Sequence, residues 1–460
     1  MSKRFLAILI LVIFLLTPLS VQAQSSTSLP VYVVQAGDTI NTIAIRFGVS
    51  AQDLIDTNQL ANPNILSIGT SLKIPGLSGI TGTLKTEAVQ LGSSLNNLSL
   101  QYRIPPETII RLNKITSPSE IYVGSTLILP ADENSPPLQP SSILPSTDTV
   151  LESAILSNTN PWLVTILNQK QGSWQYLPSE HLYSQLENLN NSLFGSGSIL
   201  SIEITPLPIR QGKTQVIKVS TASPIELEGQ FNDRELSFFP VGENTYVAIQ
   251  GVHALAKPGL ISFSILGKSE GNQQITFEQS VLLEPGYYAQ EKLYVDPQTL
   301  DPATTQPEDE LVRTLTAKFT PVKNWSGIFS LPVDEPQCIK SWFGTRRSYN
   351  DSDFSYFHTG VDYGVCANLN IYSPAAGIVV YVGEMTVRGN ATIIDHGLGV
   401  YSGFWHQQST NVSVGEKVES GQLIGQIGGT GRATGPHLHW EVWAGGIQVE
   451  PLDWLAGEYP

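Results

Sequence analysis

His358-Thr359-Gly360-Val361-Asp362 and His437-Leu438-His439 are two short motifs that lie about eighty positions apart near the end of the chain. Imidazole and carboxylate groups are ligands that zinc accepts in proteins, provided that the backbone holds them close together. Side chains alternate between the two faces of an extended strand, so His437 and His439 project from one side and Leu438 from the other. The sequence therefore predicts a metal site built on β-strands.

A third histidine, His406, ends the run Val400–Trp405, which also predicts a strand. The order HxxxD, isolated His, HxH resembles the signature of the M23 zinc metallopeptidases, the lysostaphin-type peptidoglycan endopeptidases. The resemblance covers Val333–Leu455, about a quarter of the chain. It implies one zinc ion per chain, with three protein ligands, His358, Asp362 and His439. It also implies a catalytic pair outside the ligand set, His406 and His437.

The ligand number indicates what such a site would do. Three protein ligands leave the fourth position of a tetrahedral zinc to water, which is typical of catalytic rather than structural zinc. We expect amide hydrolysis in which His406 and His437 orient the water, move a proton and stabilise the oxyanion. The sequence has no HExxH helix, so the glutamate base of that other metallopeptidase class is missing. The resemblance also suggests a transition-state role for Tyr349.

Other histidines and the late glycines have structural interpretations. His396 follows an apolar strand and precedes a glycine, which favours a hydrogen-bonding role, and His181 and His253 stand alone in other parts of the chain. Glycines 428, 429, 431 and 435 lack the strand-then-helix context of a phosphate cradle. We interpret them as a hairpin loop that lets backbone approach a substrate.

Length and charge limit the possible classes of protein. A chain of 460 residues is too long for one core and predicts three or more domains. The net charge of −15, with 14% charged residues, argues against nucleic acid or anionic lipid as partners. The composition suits an exported protein.

The N-terminus predicts export. Lys3 and Arg4 precede an apolar run, Phe5–Leu16, and residues 1–23 have the pattern of a secretory signal peptide cleaved after Ala23. The run is short for a membrane span, which needs about 20 residues, although an uncleaved anchor is the alternative. We expect a secreted or cell-envelope protein with no membrane span after cleavage.

An internal repeat follows, with asparagines at Asn58, Asn113 and Asn168, each interval being 55 residues. Residues 30–76 resemble a LysM module of two helices between two short strands, and residues 83–131 resemble a degenerate second copy. The period alone extends the pattern to residues 141–187. This stretch is either a third, degenerate LysM-like repeat or an irregular helical linker.

The LysM resemblance implies binding of glycans that contain N-acetylglucosamine. In the first copy, the residues that would face the sugar lie in two loops: Gly37, Asp38 and Thr39, then Asn62, Pro63, Asn64 and Ile65. The second copy has Ser93 where the first has Asp38, so we expect it to bind poorly. Several weak sites on one chain would raise the effective concentration at a polymer.

The remaining regions complete a multidomain, mainly β chain. Short alternating strands in residues 199–285 predict an immunoglobulin-like β-sandwich. Residues 286–330 are expected to be a linker with a helical patch, Glu308–Lys318. Residues 331–456 are expected to form the antiparallel β-sheet of the M23 domain, after the small α/β LysM modules and the sandwich.

Cys338 and Cys366, the two cysteines of the chain, flank the first histidine motif. In an exported protein such a pair favours a disulfide. Zinc ligation by both thiolates is the alternative, but it would leave the histidine set without a role.

Together these features predict a secreted, zinc-dependent endopeptidase. It would hydrolyse the peptide crosslinks of bacterial peptidoglycan, contacting the stem or crossbridge peptides, while LysM modules hold the glycan. Two alternatives stay open: a non-catalytic wall-binding protein or activator of other wall hydrolases, and a secreted peptidase that acts on proteins.

Overall fold

The computed structural model describes residues 29–35, 37–131, 142–144, 149–156, 160–177, 179–183, 199–268 and 274–460. They form two compact units, the first Met1–Lys85 with Pro130–Ser135 and the second Thr86–Leu129 with Pro136–Pro460. The predicted signal peptide and its cleavage site lie outside the described residues. Within the described ranges, no helix has the length and apolar character needed to cross a membrane.

The first unit has the strand–helix–helix–strand order predicted for residues 30–76. Strands Val31–Val33 and Ser71–Lys73 pair antiparallel, and helices Ile40–Phe47 and Ala51–Asn58 lie between them in the chain. Thr39 begins the first helix with a capping box, and Ser50 begins the second by accepting a hydrogen bond from the Asp53 amide at 2.9 Å. These caps satisfy backbone donors that would otherwise lack partners, so the predicted arrangement is confirmed.

The second unit begins with two further segments of the same element order. One contains strands Thr83–Ala88 (which starts in the first unit) and Thr126–Ala131, helices Leu95–Tyr102 and Pro106–Asn113, and a short 3-10 turn, Pro118–Glu120. The other contains strands Ser142–Ile143 and His181–Leu182, which pair antiparallel, helices Val150–Leu156 and Pro161–Leu167, and a 3-10 turn, Ser173–Gln175.

The asparagine that recurs every 55 residues makes the same hydrogen bonds each time. Asn58 Nδ2 donates to the carbonyl of Leu54 at 2.9 Å and to that of Lys73 at 2.8 Å, and Asn58 Oδ1 accepts from the Lys73 amide at 2.7 Å. Asn113 does this with Ile109 and Ile128. The side chain thus connects the end of the second helix to the closing strand, which explains why an asparagine is needed there.

A two-sheet β-sandwich follows in residues 199–284. One sheet has the order Arg234–Glu235, Glu226–Phe231, Gly259–Lys268, Gln274–Glu284, Ile209–Arg210, and the other Phe239–Gly242, Thr245–Gly251, Thr214–Thr221, Ile199–Thr205. Apolar residues from both sheets form one core. The short strands expected from the alternating pattern are present, while the immunoglobulin-like type stays a prediction.

The segment expected to be a linker contains a strand that pairs with the C-terminal region. Strand Gln290–Leu293 pairs parallel with strand Arg346–Tyr349, which pairs with Tyr356–Phe357. A 3-10 turn, Pro297–Leu300, and a 15-residue helix, Pro302–Thr316, follow. Short polar strands that pair with distant residues leave little pattern in a single sequence, so the sequence did not indicate this strand, and the domain boundary stays a prediction.

The C-terminal region, residues 339–456, is built on an antiparallel sheet, as predicted. The strand order along it is Ile339–Ser341, Val361–Gly364, His437–Ala444, Val400–Thr410, Gly389–Gly397, Gly377–Met385, Lys417–Val418. Three more strands, Asn370–Tyr372, Leu423–Ile427 and Ile447–Val449, pair alongside, and helix Pro451–Ala456 follows. A disulfide joins Cys338 to Cys366, as expected for an exported protein.

Candidate metal centre

The sheet register brings the two histidine motifs together. Asp362 lies directly opposite His439 on neighbouring antiparallel strands, and His439 lies opposite Trp405 on the next strand. Residues that face each other across antiparallel strands project from the same face of the sheet. The long sequence separation is thus bridged by ordinary strand pairing, and all three side chains reach one face.

Three donor atoms converge on this face. His358 Nε2 lies 2.9 Å from both Asp362 Oδ1 and His439 Nδ1, and His439 Nδ1 lies 2.8 Å from Asp362 Oδ1. All three residues are buried, and in the part of the chain that the structure describes they form the group with metal-ligand character. Two imidazoles and a carboxylate that point at one another fit a shared cation, and their chemistry fits zinc.

Each histidine of this set is held in the tautomer that leaves the converging nitrogen free. His358 Nδ1 donates to the carbonyl of Trp342 at 2.9 Å, and His439 Nε2 donates to the Glu441 carboxylate at 2.9 Å. Burial lowers the pKa of His358 to about 4, so its imidazole is neutral at pH 7. Burial would raise the pKa of Asp362, but charge and N–H donation from the His358 and His439 imidazoles, in the place that a cation would take, hold this pKa well below its usual range. A neutral imidazole and an ionised carboxylate are the protonation states that bind a metal.

Glu441 is a functional residue that the sequence analysis missed. Its Oε1 accepts from His439 Nε2, from the Thr359 hydroxyl at 2.6 Å and from Trp405 Nε1 at 3.0 Å. The residue is only 2% exposed. A carboxylate that accepts from a metal-binding imidazole fixes the ring and makes it a stronger ligand. The available signal was its spacing, since residue 441 shares a strand face with residue 439.

His406 reaches the cleft through a β-bulge. Trp405 and His406 together oppose the single residue Ala391 on the neighbouring strand, and His406 has a φ of 61°. In a regular strand two successive side chains would point to opposite faces; the bulge instead turns both toward the site. A left-handed conformation is costly for a non-glycine residue, so the surrounding structure must hold it in place. The sequence predicted the strand and the residue but not this irregularity.

The two histidines outside the ligand set lie side by side. The ring centroids of His406 and His437 are 4.7 Å apart, and His437 Nε2 lies 3.8 Å from Asp362 Oδ1. His406 Nδ1 donates to the carbonyl of Thr430 at 2.8 Å, and His437 Nδ1 donates to that of Gly435 at 2.8 Å. These bonds leave both Nε2 atoms as acceptors. Burial, reinforced by the neighbouring His437 and His439 rings, lowers the pKa of His406 to about 3.

A buried glutamate on the Pro302–Thr316 helix supports the His406 bulge. Glu308 accepts hydrogen bonds from the amide of Val387 at 2.8 Å and the amide of Arg388 at 3.4 Å. The carbonyl of Arg388 in turn accepts from the His406 amide at 2.9 Å. Glu308 therefore fixes the loop that holds the strained backbone of His406. The segment expected to be a linker contributes directly to the geometry of the site.

The site opens into a cleft of about 570 Å³. Its lining includes Glu291, Leu300 and Asp309 from the segment expected to be a linker, and Gly435 from the glycine-rich turn. Tyr349 also lines the cleft, and the Arg432 guanidinium lies over its ring at 5.1 Å. Its suggested transition-state role stays a prediction. The glycine-rich turn borders the cleft, as expected for a loop that approaches a substrate.

The remaining histidines lie away from the ligand set. His396 is fully buried, with Nδ1 2.9 Å from the carbonyl of Ala376 and Nε2 2.9 Å from the Ser402 hydroxyl, which is the hydrogen-bonding role predicted for it. His253 packs edge-on against Phe357. The His181 amide donates to the carbonyl of Gly92 at 2.9 Å.

The predicted glycan-binding residues of the first unit divide into two groups. The Asp38 carboxylate is committed to the fold, because it accepts from the Tyr32 hydroxyl at 2.7 Å and pairs with Arg46 at 3.0 Å. Thr39 caps a helix. Gly37 and three of the four residues of the other loop, Asn62, Asn64 and Ile65, are exposed, and Pro63 between them is half-buried. The exposed loop atoms are the ones available to a ligand.

Comparison with known proteins adds the family. Residues 356–451 match the model of Peptidase family M23, and residues 32–75 and 88–130 match that of the LysM domain. The C-terminal domain is an M23 peptidase domain. All five predicted ligand and catalytic residues lie within the M23 match, and M23 peptidases are zinc-dependent. The recognition made from the two histidine motifs and the repeat is confirmed.

Curated relatives match about a quarter of the chain. Peptidoglycan DD-endopeptidase ShyA of Vibrio cholerae is 35% identical over 121 residues, 26% of this chain and 28% of that protein. DD-carboxypeptidase/endopeptidase Mpg of Neisseria meningitidis is 37% identical over 95 residues, 21% of this chain and 22% of that protein. The alignments thus span less than a third of either relative. A solved M23 catalytic domain, from protein EnpA of Enterococcus faecalis, matches at 28% identity over 27% of this chain and 95% of its own, with a TM-score of 0.24.

Proposed function

We propose that this protein is a zinc-dependent endopeptidase that hydrolyses peptide crosslinks of bacterial peptidoglycan outside the cytoplasm. The observation that supports it most is the donor set of His358, Asp362 and His439, with two further histidines beside it whose Nε2 atoms are free. A purely structural zinc site would use four protein ligands and would need no neighbouring acceptors.

The five residues have two kinds of proposed role, metal binding and proton transfer. His358 Nε2, Asp362 Oδ1 and His439 Nδ1 would hold the zinc, whose chemistry when bound is to polarise a carbonyl and bring the pKa of a bound water to about 7. His406 and His437 use Nδ1 for hydrogen bonds to carbonyls and so present Nε2 atoms that can accept a proton and later return it to the leaving amine. Their fixed Nδ1 hydrogen bonds orient the rings before substrate binds, which lowers the cost of reaching the reactive geometry.

The peptidoglycan substrate is supported by two independent features. Curated relatives that match about a quarter of this chain are named as a peptidoglycan DD-endopeptidase and a DD-carboxypeptidase/endopeptidase. Two LysM domains precede the peptidase in the same chain, and the resemblance of this module implies glycan binding. A glycan-binding arm and a peptide-cutting site on one chain fit a polymer that contains both. The predicted signal peptide and the disulfide are consistent with export.

The experiment uses the mature chain, residues 24–460, with His439→Ala and His406→Gln variants. Zinc content is measured by elemental mass spectrometry, and new amino groups are measured after incubation with purified peptidoglycan. We expect about one zinc and amine release for the natural chain, loss of both for His439→Ala, and loss of amine release alone for His406→Gln.

Two results would redirect the proposal. Zinc loss in His406→Gln would contradict the division between ligands and proton-transfer residues. If the natural chain binds zinc but releases no amines from any wall preparation, the wall-binding or activator alternative replaces it. Cleavage of an unfolded protein substrate in place of peptidoglycan would instead support the protein-directed alternative.

A further inference from the structure

The two matched LysM modules share a first loop but expose it differently. Gly37 and Gly92 are 55 residues apart and both have left-handed backbones, with φ of 85° and 75°. The following amides make the same turn hydrogen bond, 3.2 Å long, in Asp38 and in Ser93. A Cβ added at Gly37 would meet no atom within 4 Å, whereas one added at Gly92 would lie 2.8 Å from the His181 ring.

In the second module this loop is occupied by other parts of the same chain. The carbonyl of Gly92 accepts from the His181 amide at 2.9 Å, and the amide of Gly92 donates to Gln279 Oε1 at 2.8 Å. Asn97 Nδ2 donates to the carbonyl of His181 at 2.6 Å, and the Ser94 hydroxyl donates to Glu180 at 2.6 Å. These partners come from the 142–183 segment and from the sandwich.

The connection before the closing strand shows the same contrast. Gly69 and Gly124 have φ of 87° and 85°, and their amides make equivalent bonds of 2.9 Å to Val34 and Val89. Nothing lies within 4 Å of a Cβ placed on Gly69, but at Gly124 the carbonyl oxygen of Leu282 would be 3.1 Å away. The adjacent carbonyl of Val123 accepts from the Leu282 amide at 2.8 Å. A sandwich strand therefore covers this edge.

The segment that covers the first loop is itself a repeat of the same design. Asn168 Nδ2 donates to the carbonyls of Val164 at 2.8 Å and Tyr183 at 2.9 Å, and Asn168 Oδ1 accepts from the Tyr183 amide at 3.0 Å. In all three copies the residue directly after the repeated asparagine has a left-handed backbone: Gln59, Lys114 and Gln169. The residue ten positions further on is left-handed as well: Gly69, Gly124 and Ser179. A linker of irregular structure would not reproduce these positions.

A buried ion pair within this segment fixes the covering residues. Lys170 Nζ lies 2.8 Å from Glu180 Oε1, and the two side chains are 3% and 1% exposed. Glu180 also accepts from the Leu177 amide at 3.0 Å and from Ser94. A buried pair of this kind is costly to disrupt, because removing one charge leaves the other without compensation. The cover over the second module is therefore a firm part of the second unit.

We propose that residues 142–183 are a third LysM-fold repeat that, together with the sandwich, occupies the glycan-facing loop of the second module. Of the two matched modules, the first alone presents this loop free within the described residues. The second module contacts both the third repeat and the sandwich and so connects them. The first module would therefore be the one that recognises the wall. This inference rests on the glycan binding proposed above.

Hydrogen exchange at single-amide resolution tests this in the mature chain, free and with N-acetylglucosamine hexamer. The Asp38 and Ser93 amides are a matched pair, because each makes the same turn hydrogen bond and only the second is covered. We expect Ser93 to exchange at least about ten-fold more slowly than Asp38. Gln279→Ala should raise exchange at Gly92 about ten-fold, while Gln274→Ala, exposed on the same strand, should not.

The outcomes separate the two proposals. Equal exchange at Asp38 and Ser93 in the free chain would overturn the covering of the second module, whatever the hexamer does. New protection by the hexamer at residues 92–94 would overturn it as well. Protection at residues 37–39 and 62–65 alone is the expected result. If the hexamer protects neither module, glycan binding by the first module fails, while the exchange of the free chain still decides whether the second is covered.

Discussion

Replacing Glu441 with glutamine should weaken zinc binding without unfolding the protein. The carboxylate accepts from His439 Nε2 at 2.9 Å, and the substitution keeps its shape but removes its charge. Hydrogen bonds to charged groups contribute about 1.5–3 kcal/mol, roughly twice the neutral value. Substitution of such partners typically lowers metal affinity about 10- to 100-fold, or about 1.4–2.7 kcal/mol. Both estimates predict a loss of at least ten-fold.

The assay is competition with a chromogenic chelator, which gives the zinc dissociation constant of each variant. Gln448→Ala is the matched control, since Gln448 Nε2 lies 3.4 Å from the other oxygen of Glu441 and does not contact His439. We expect its zinc affinity to stay within about two-fold. Thermal unfolding of the zinc-free proteins checks that the fold persists. An unchanged dissociation constant for Glu441→Gln, with an unchanged Tm, would refute the view that this carboxylate supports the ligand.

Three further predictions follow from buried polar contacts. Glu308→Ala should lower kcat about ten-fold, because Glu308 supports the loop that holds the His406 backbone, and zinc content and KM should not change. Glu310→Ala, on the exposed side of the same helix, is the control and should alter none of these quantities. A change in KM alone would contradict a positioning role for Glu308. Lys170→Met should lower the free energy of unfolding by about 3–5 kcal/mol in urea titrations, because it strands the buried Glu180. Asn113→Ala should lower the free energy of unfolding by about 2–3 kcal/mol in the same titration, since three backbone groups lose their partner. A decrease below about 0.5 kcal/mol would contradict a stabilising role for the asparagine that connects helix and strand.

The sequence was most informative where residue types alone carry the chemistry. The ligand set could be predicted because histidine and aspartate at these spacings have few structural reasons to occur together, and strand alternation then placed His437 and His439 on one face. The 55-residue period was visible because an asparagine that bridges a helix end and a strand has no equivalent replacement. Chemistry that depends on one side chain is readable from one sequence.

Features that depend on pairing between distant segments could not be predicted. The bulge that turns His406 into the cleft is set by the register against Ala391, which no local pattern specifies. The strand Gln290–Leu293 is short and polar, and it forms only because residues 346–349 offer an edge. Likewise Gly92 and Gly37 have similar local sequence, and only the folded chain shows that one of them is covered.

The parallel pairing of Gln290–Leu293 with Arg346–Tyr349 extends the segment that must be transferred together if the proposed active site is to be moved to another protein. The family match starts at residue 356, so a gene fusion cut near that point would transplant every ligand yet leave behind Glu291, Leu300 and the helix that carries Glu308. Such a fusion would keep the metal ligands but would lose the cleft residues contributed by the segment before residue 356. Recombination that preserves the complete cleft would have to transfer the whole stretch from about residue 286.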